Sequence, residues 1–201
     1  ACQDLRSGRI DGGIAGGVNV SIHPNKYSML SQGGFMSDHW CKSFGEGGEG
    51  YIPSEGVGAI LLKRLEDAIK DGDHVYAVIK GSSINHGGKA NGFTVPNPKA
   101  QEMVIARAIQ ESGIDARTIS YIEAHGTGTS LGDPIELTGL SRAYKKYNLE
   151  KEGCLIGSVK SNIGHAEGAA GISAISKVLL QLKHGQIVPS IHSESINPNL
   201  D

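Results

Sequence analysis

The chain has few aromatic residues: three Phe, six Tyr and one Trp, 5% of 201 residues. Charge of one sign is not in excess either: a net charge of −2 leaves no electrostatic footprint for nucleic acid or an anionic membrane. Cysteine is scarce too. Cys2, Cys41 and Cys154 are odd in number and far apart, which excludes a disulfide framework and the close pairs of a zinc site. A reducing, cytoplasmic setting is the default expectation. No apolar run approaches the roughly 18 residues of a membrane-spanning helix, and no basic-then-apolar leader opens the chain.

Glycine is abundant, at 29 residues, so much of the backbone is expected in tight loops or close contacts. Ala1 to Ser7 before Gly8 reads as the tail of a helix without its N-cap, and Asn197 to Asp201 is loop chemistry. The expectation is a fragment of a larger domain.

Between these ends the pattern alternates. Gly12 to Val20 suits a buried strand with close backbone neighbours. Residues 21–58 carry little periodicity and are expected as a long irregular, functional stretch. Val57 to Leu62 reads as a strand, Arg64 to Lys70 as a short helix, and Val75 to Ile84, rich in β-branched residues, as a second strand. Asn97 and Pro98 are an N-cap and N1 pair for a helix that Gly113 ends, with Val104, Ile105, Ala108 and Ile109 on one face. Ile119 to Glu123 is an expected strand. Asp133 is the expected N-cap of the next helix, with Glu136 at N3 as a capping-box variant. Leu155 to Val159 is the last expected strand. A helix from about Glu167 to His184 follows, with Ile172, Ile175, Leu179 and Leu182 at helical spacing and Gly185 after it. From Val75 onward the order β-α-β-α-β-α predicts an α/β fold with a mainly parallel sheet.

Two stretches carry chemistry. Glu123-Ala124-His125-Gly126-Thr127-Gly128-Thr129 and Gly157-Ser158-Val159-Lys160-Ser161-Asn162-Ile163-Gly164-His165 each follow an expected strand and run into a helix. Ligands in open α/β sheets sit at the carboxyl ends of strands, so two such units can bring two imidazoles to one pocket. Lys160 near both would favour neutral rings, and neutral imidazoles donate N–H bonds to a developing oxyanion or enolate. Threonine hydroxyls in the first loop can bond amide groups of a ligand. The bland alternatives are a capping-turn histidine for His125 and a salt bridge from Lys160 to Glu167 or Glu123. Gly126-x-Gly128 is a poor dinucleotide loop, because its third glycine is misplaced and no acidic partner follows a strand. His86 reads as shaping a turn, the three cysteines as small buried hydrophobes, and no metal cluster is expected.

Taken together, Ala15 to Asn19, Cys41-Lys42-Ser43-Phe44, Gly50-Tyr51, Glu55-Gly56-Val57-Gly58, Glu123 to Thr129, Gly132-Asp133-Pro134-Ile135-Glu136, and Gly157 to His165 with Ala169-Ala170-Gly171 resemble the ketosynthase (beta-ketoacyl synthase) domain of polyketide and fatty acid synthases. They lie in family order across the chain. Ile84 to Gly92 with Val95-Pro96-Asn97-Pro98 is most similar to bacterial modular polyketide synthases whose acyltransferase acts in trans. The resemblance implies a thiolase-like layered α-β-α-β-α fold, with about 1–70 closing the N-terminal half and about 71–201 forming a truncated C-terminal half. It implies decarboxylative Claisen condensation of an acyl thioester with malonyl-acyl carrier protein. His125 and His165 would be catalytic, Lys160 would support them, and Thr127 and Thr129 would contact the phosphopantetheine arm. No bound cofactor, metal, nucleic acid or membrane is implied. The partners are an acyl carrier protein and, for the parent, a second copy in a homodimer. The family's Thr-Ala-Cys-Ser-Ser-like nucleophile motif does not occur in these 201 residues, and Cys2 lies too near Ala15 to serve. The chain alone is therefore expected to be unable to condense. The alternatives are a fatty acid synthase ketosynthase, or a non-elongating domain that binds or relays acyl chains.

Overall fold

The computed structural model describes residues 1–89, 92, 95–147 and 153–200. Ala90 and Asn91 of the subtype stretch, and the terminal Asp201, lie outside them. The chain opens with helix α1 (Cys2–Arg6), whose end leads into Gly8 in the left-handed conformation, as expected. Strand β1 (Gly12–Asn19) then pairs antiparallel with β2 (Gly56–Lys63), in a register running from Gly12↔Lys63 to Asn19↔Gly56.

The connection between these strands is not wholly irregular. It contains helix α2 (Asn25–Gln32). Sequence reading passes over α2 because its N-cap position is Pro24, no side chain caps it, its first turn has no acid and its last no base, and none of its residues is buried. Helix α3 (Leu65–Asp71) follows β2 and ends at Gly72.

The expected strand over Val75 to Ile84 does not form a ladder among the described residues. Its β-branched residues have the right propensity, but a strand is defined by a main-chain ladder to a neighbour, and among the described residues none pairs with it in that way. The segment instead leans on helix α4 (Pro98–Ser112): Gly81 sits so close that a Cβ there would come within 2.6 Å of Ala108 O. Asn97 caps α4 as expected, its side chain accepting from Lys99 N at 3.0 Å and Ala100 N at 3.3 Å.

Beyond α4 come β3 (Tyr121–Glu123), α5 (Gly132–Lys145), β4 (Leu155–Gly157), α6 (Lys160–Ile163), a 3-10 turn (Glu167–Ala169) and α7 (Ala170–His184), which Gly185 ends. β3 and β4 are parallel, three residues each, and shorter than expected at opposite ends. A 3-10 turn (Ala116–Thr118) capped by Asp115 delays β3, and α6 starts early enough to cut β4.

Two apolar centres hold these parts. Helices α4 and α5 close on Ile109, Ala116, Leu140 and Tyr144. The sheet β1–β2 lies with one face on the 3-10 turn and α7, around Ala166, Ala169 and Ile172. A Cβ at Gly17 would stand 2.5 Å from Gly168 O, so only glycine lets the strand lie on that turn. The other face of the sheet is apolar and open, with Ile14 78%, Val57 84% and Leu61 75% exposed. Along α7 only Ile172 of the expected stripe is buried, and Leu182 is exposed. No helix among the described residues is long and apolar enough to cross a membrane.

Candidate active site

β3 and β4 end side by side, and each hands its chain to one of the glycine-bearing loops. A single carboxylate joins the two strand ends. Glu123 Oε1 accepts from Val159 N at 2.5 Å, and Oε2 accepts from the Tyr121 hydroxyl at 2.5 Å. Lys177 of α7 meets Oε2 at 2.9 Å, both side chains being over nine-tenths buried.

His125 is fixed through its peptide groups rather than its ring. Its N–H donates to Glu136 Oε1 at 2.7 Å, and Gly126 N donates to Oε2 at 2.8 Å. Its carbonyl accepts from Lys160 Nζ at 2.5 Å and Ser158 Oγ at 3.2 Å. Gly126 has φ +45°, and a Cβ on it would meet Ser158 Cβ at 2.8 Å, so glycine is required twice over. The loop beyond is pinned by Asp133, whose carboxylate accepts from Phe44 N at 2.7 Å and Gly128 N at 3.2 Å. Ser43 Oγ donates to Gly126 O at 2.6 Å. These bonds turn the hydroxyls of Thr127 and Thr129 to within 3.5 Å of each other.

Asp133 and Glu136 are therefore not helix caps. α5 begins at Gly132 with Leu131 as its N-cap, so Asp133 lies inside the first turn. The carboxylates serve the histidine loop instead, since charge-assisted bonds to three loop N–H groups outweigh one cap bond.

His165 is held in the same manner. Its N–H donates to Ile52 O at 2.7 Å and its carbonyl accepts from Ser54 N at 3.0 Å, across a bridge to Pro53. Its Nδ1 accepts from Glu167 N at 2.9 Å. An accepting Nδ1 carries no proton, so a neutral ring bears its hydrogen on Nε2. The Tyr51 ring lies 4.8 Å away.

The imidazoles of His125 and His165 meet edge to face, their centroids 5.3 Å apart. Both are held neutral, with pKa values lowered to about 4. Burial is the larger cause, and the Lys160 charge the second. The sequence argument gave Lys160 first place; the fold reverses that order. His125 nonetheless remains partly open to solvent. Lys160 itself is 3% exposed and makes neither expected salt bridge. Glu123 is taken by Lys177, and Glu167 by Lys26 at 2.8 Å. Burial lowers the pKa of Lys160, and Glu136 opposes that shift.

Cys41 is buried with its thiol 3.4 Å from Thr127 O, and burial raises its pKa, so it fits the reading of a small apolar residue. Cys2 and Cys154 are only half-buried, at the start of α1 and just before β4, and all three are free. His86 shapes a turn, its Nδ1 accepting from Gly88 N at 2.9 Å. Among the described residues no cluster of three or more His, Cys, Asp or Glu could hold a metal ion. The roles of Glu136, Asp133, Ser158 and Glu167 escape sequence reading. The one local sign is an acid-rich helix start directly after a glycine loop.

A family model described as beta-ketoacyl synthase, N-terminal domain matches residues 1–68, and one described as beta-ketoacyl synthase, C-terminal domain matches residues 76–194. Among curated proteins, the chain is 61% identical to polyketide synthase PksL of Bacillus subtilis over its whole length, which is 4% of that protein. It is 54% identical to polyketide synthase ThaG of Burkholderia thailandensis, again over the whole chain and 4% of the relative. Among solved structures, the oxazolomycin ketosynthase domain OzmH KS7 of Streptomyces albus superposes with a TM-score of 0.96 at 55% identity, over all of this chain and 36% of that one. The ketosynthase from module 6 of the bacillaene synthase of Bacillus subtilis gives 0.96 at 44% identity, with the same coverage of both chains.

Proposed function

Because this chain belongs to the beta-ketoacyl synthase family, with the thiolase-like fold of its ketosynthase neighbours, we propose that it forms the enolate-handling side of a polyketide chain-elongating ketosynthase. Residues of about 1–70 close the N-terminal half of that domain, and about 71–201 belong to its C-terminal half.

In the proposed reaction, a cysteine outside these 201 residues holds the growing acyl chain as a thioester. A malonyl thioester on the phosphopantetheine of an acyl carrier protein enters beside Thr127 and Thr129, whose hydroxyls bond the amides of the arm. The bond to the malonyl carboxylate breaks, CO2 leaves, and the electron pair becomes a thioester enolate. The enolate carbon attacks the acyl carbonyl, a new C–C bond forms, and the cysteine thiolate departs. His165, with its hydrogen on Nε2, donates to the enolate oxygen, and His125 shares that work. Lys160 fixes the main chain of His125 and helps to keep both rings neutral. A protonated imidazole would instead surrender its proton to the carbanion.

The observation that carries this reading is the pair of neutral imidazoles 5.3 Å apart, on the two segments that follow adjacent parallel strands. The parent is expected to work as a cytoplasmic homodimer of the type served by an acyltransferase in trans, without nucleic acid, membrane or bound cofactor. Testing requires the parent polypeptide, acylated on its cysteine and offered malonyl-carrier. His125→Ala and His165→Ala should each cut elongation at least about 100-fold while acylation persists. Wild-type elongation in both would refute the proposal. A wild-type parent that is acylated, by mass, yet never elongates would mark a relay domain instead.

A further inference from the structure

Glu167 has φ +40°, a left-handed conformation disfavoured for a residue with a Cβ. Its neighbour in sequence is Gly168, so glycine was within one position of the site of strain. Two contacts account for a glutamate there. Its N–H is the donor to His165 Nδ1 at 2.9 Å, and its carboxylate meets Lys26 Nζ at 2.8 Å. Lys26 stands on α2 and also donates to Ser21 Oγ at 3.3 Å, just beyond the end of β1. Both side chains are about one-quarter to one-third exposed, 26% and 30%. A pair that open to water adds little to overall stability, so stability alone does not explain strain kept beside a site histidine.

We infer that Lys26 and Glu167 are positioning residues for His165: the ion pair clamps the left-handed turn, and the turn keeps a peptide N–H on Nδ1 so that the hydrogen of the ring stays on Nε2, facing the site. The inference rests on the elongation reading for its kinetic consequence but not for its structural one. It also gives α2 a purpose, since that helix packs none of its own residues into a core.

The test uses the intact ketosynthase-bearing polypeptide with 15N-labelled histidine, in wild type, Lys26→Met, Glu167→Gln, Glu167→Gly and the exchange Lys26→Glu/Glu167→Lys. In wild type the two His165 nitrogens should read as one bare Nδ1 and one protonated Nε2. In Lys26→Met and Glu167→Gln they should move toward an averaged pair. Elongation kcat should fall about tenfold or more, with KM for the extender thioester unchanged, as for a misplaced catalytic group. Glu167→Gly should behave like Glu167→Gln although its backbone is relieved of strain, and the exchange should restore both signals and rate. Unchanged His165 nitrogens in Lys26→Met and Glu167→Gln, or wild-type rate in Glu167→Gly, would overturn the inference. If the nitrogens shift as expected in a polypeptide that never elongates, the positioning role stands and the elongation reading falls.

Discussion

At the scale of single residues, the site is governed by which atoms are already engaged. The loops of His125 and His165 are anchored mainly through peptide groups, and the His165 ring is engaged at Nδ1 alone. Both pKa values lie near 4, below the ordinary 6.5 or so of histidine. Between those two values an unfolded chain binds more protons than the folded one. Stability should therefore rise with pH from about 4 to about 6.5 and level off above, with the solvent exposure of His125 blunting its share. Urea midpoints of the intact domain across that range would show the slope, and His125→Gln with His165→Gln should flatten it. At Gly126, an alanine meets both a left-handed backbone and Ser158. Gly126→Ala should cost about 1–3 kcal/mol by denaturant titration and displace His125 from its partner ring.

At the scale of elements, what the sequence reveals follows whether the cause is near or far along the chain. The cap at Asn97 and the glycines after α4 and α7 are decided by adjacent residues and were legible; Asn97→Ala should destabilise by about 1 kcal/mol. Positions 75–84 have strand propensity but no described neighbour to pair with, so propensity alone misleads there. α2 has no stripe or cap to announce it. In the candidate site, the placing together of the two histidines and Lys160 was legible because a glycine loop after a short apolar run is a local pattern. Asp133 and Glu136 obey a local helix-start rule and a distant one, and the distant one prevails. The Glu123–Lys177 pair, which spans β3 and α7, has no local trace at all. Lys177→Met should strand a buried carboxylate at about 3–5 kcal/mol, and Glu123→Gln/Lys177→Met should recover much of that loss in thermal unfolding.

At the scale of the molecule, the sheet β1–β2 presents Ile14, Val18, Val57 and Leu61 to solvent, and α7 adds Leu180 and Leu182. Apolar exposure of this extent calls for a covering layer. The 201-residue polypeptide made alone should bind a hydrophobic dye strongly or self-associate in sedimentation, and the full-length domain should do neither. Glu136, Lys160, Ile52, Ser54 and Glu167 supply bonds that seat the two histidine loops. The proposed enolate side of the reaction would thus be shaped by a carboxylate and an ammonium bound to the main chain of His125, and by loop peptides bound to His165.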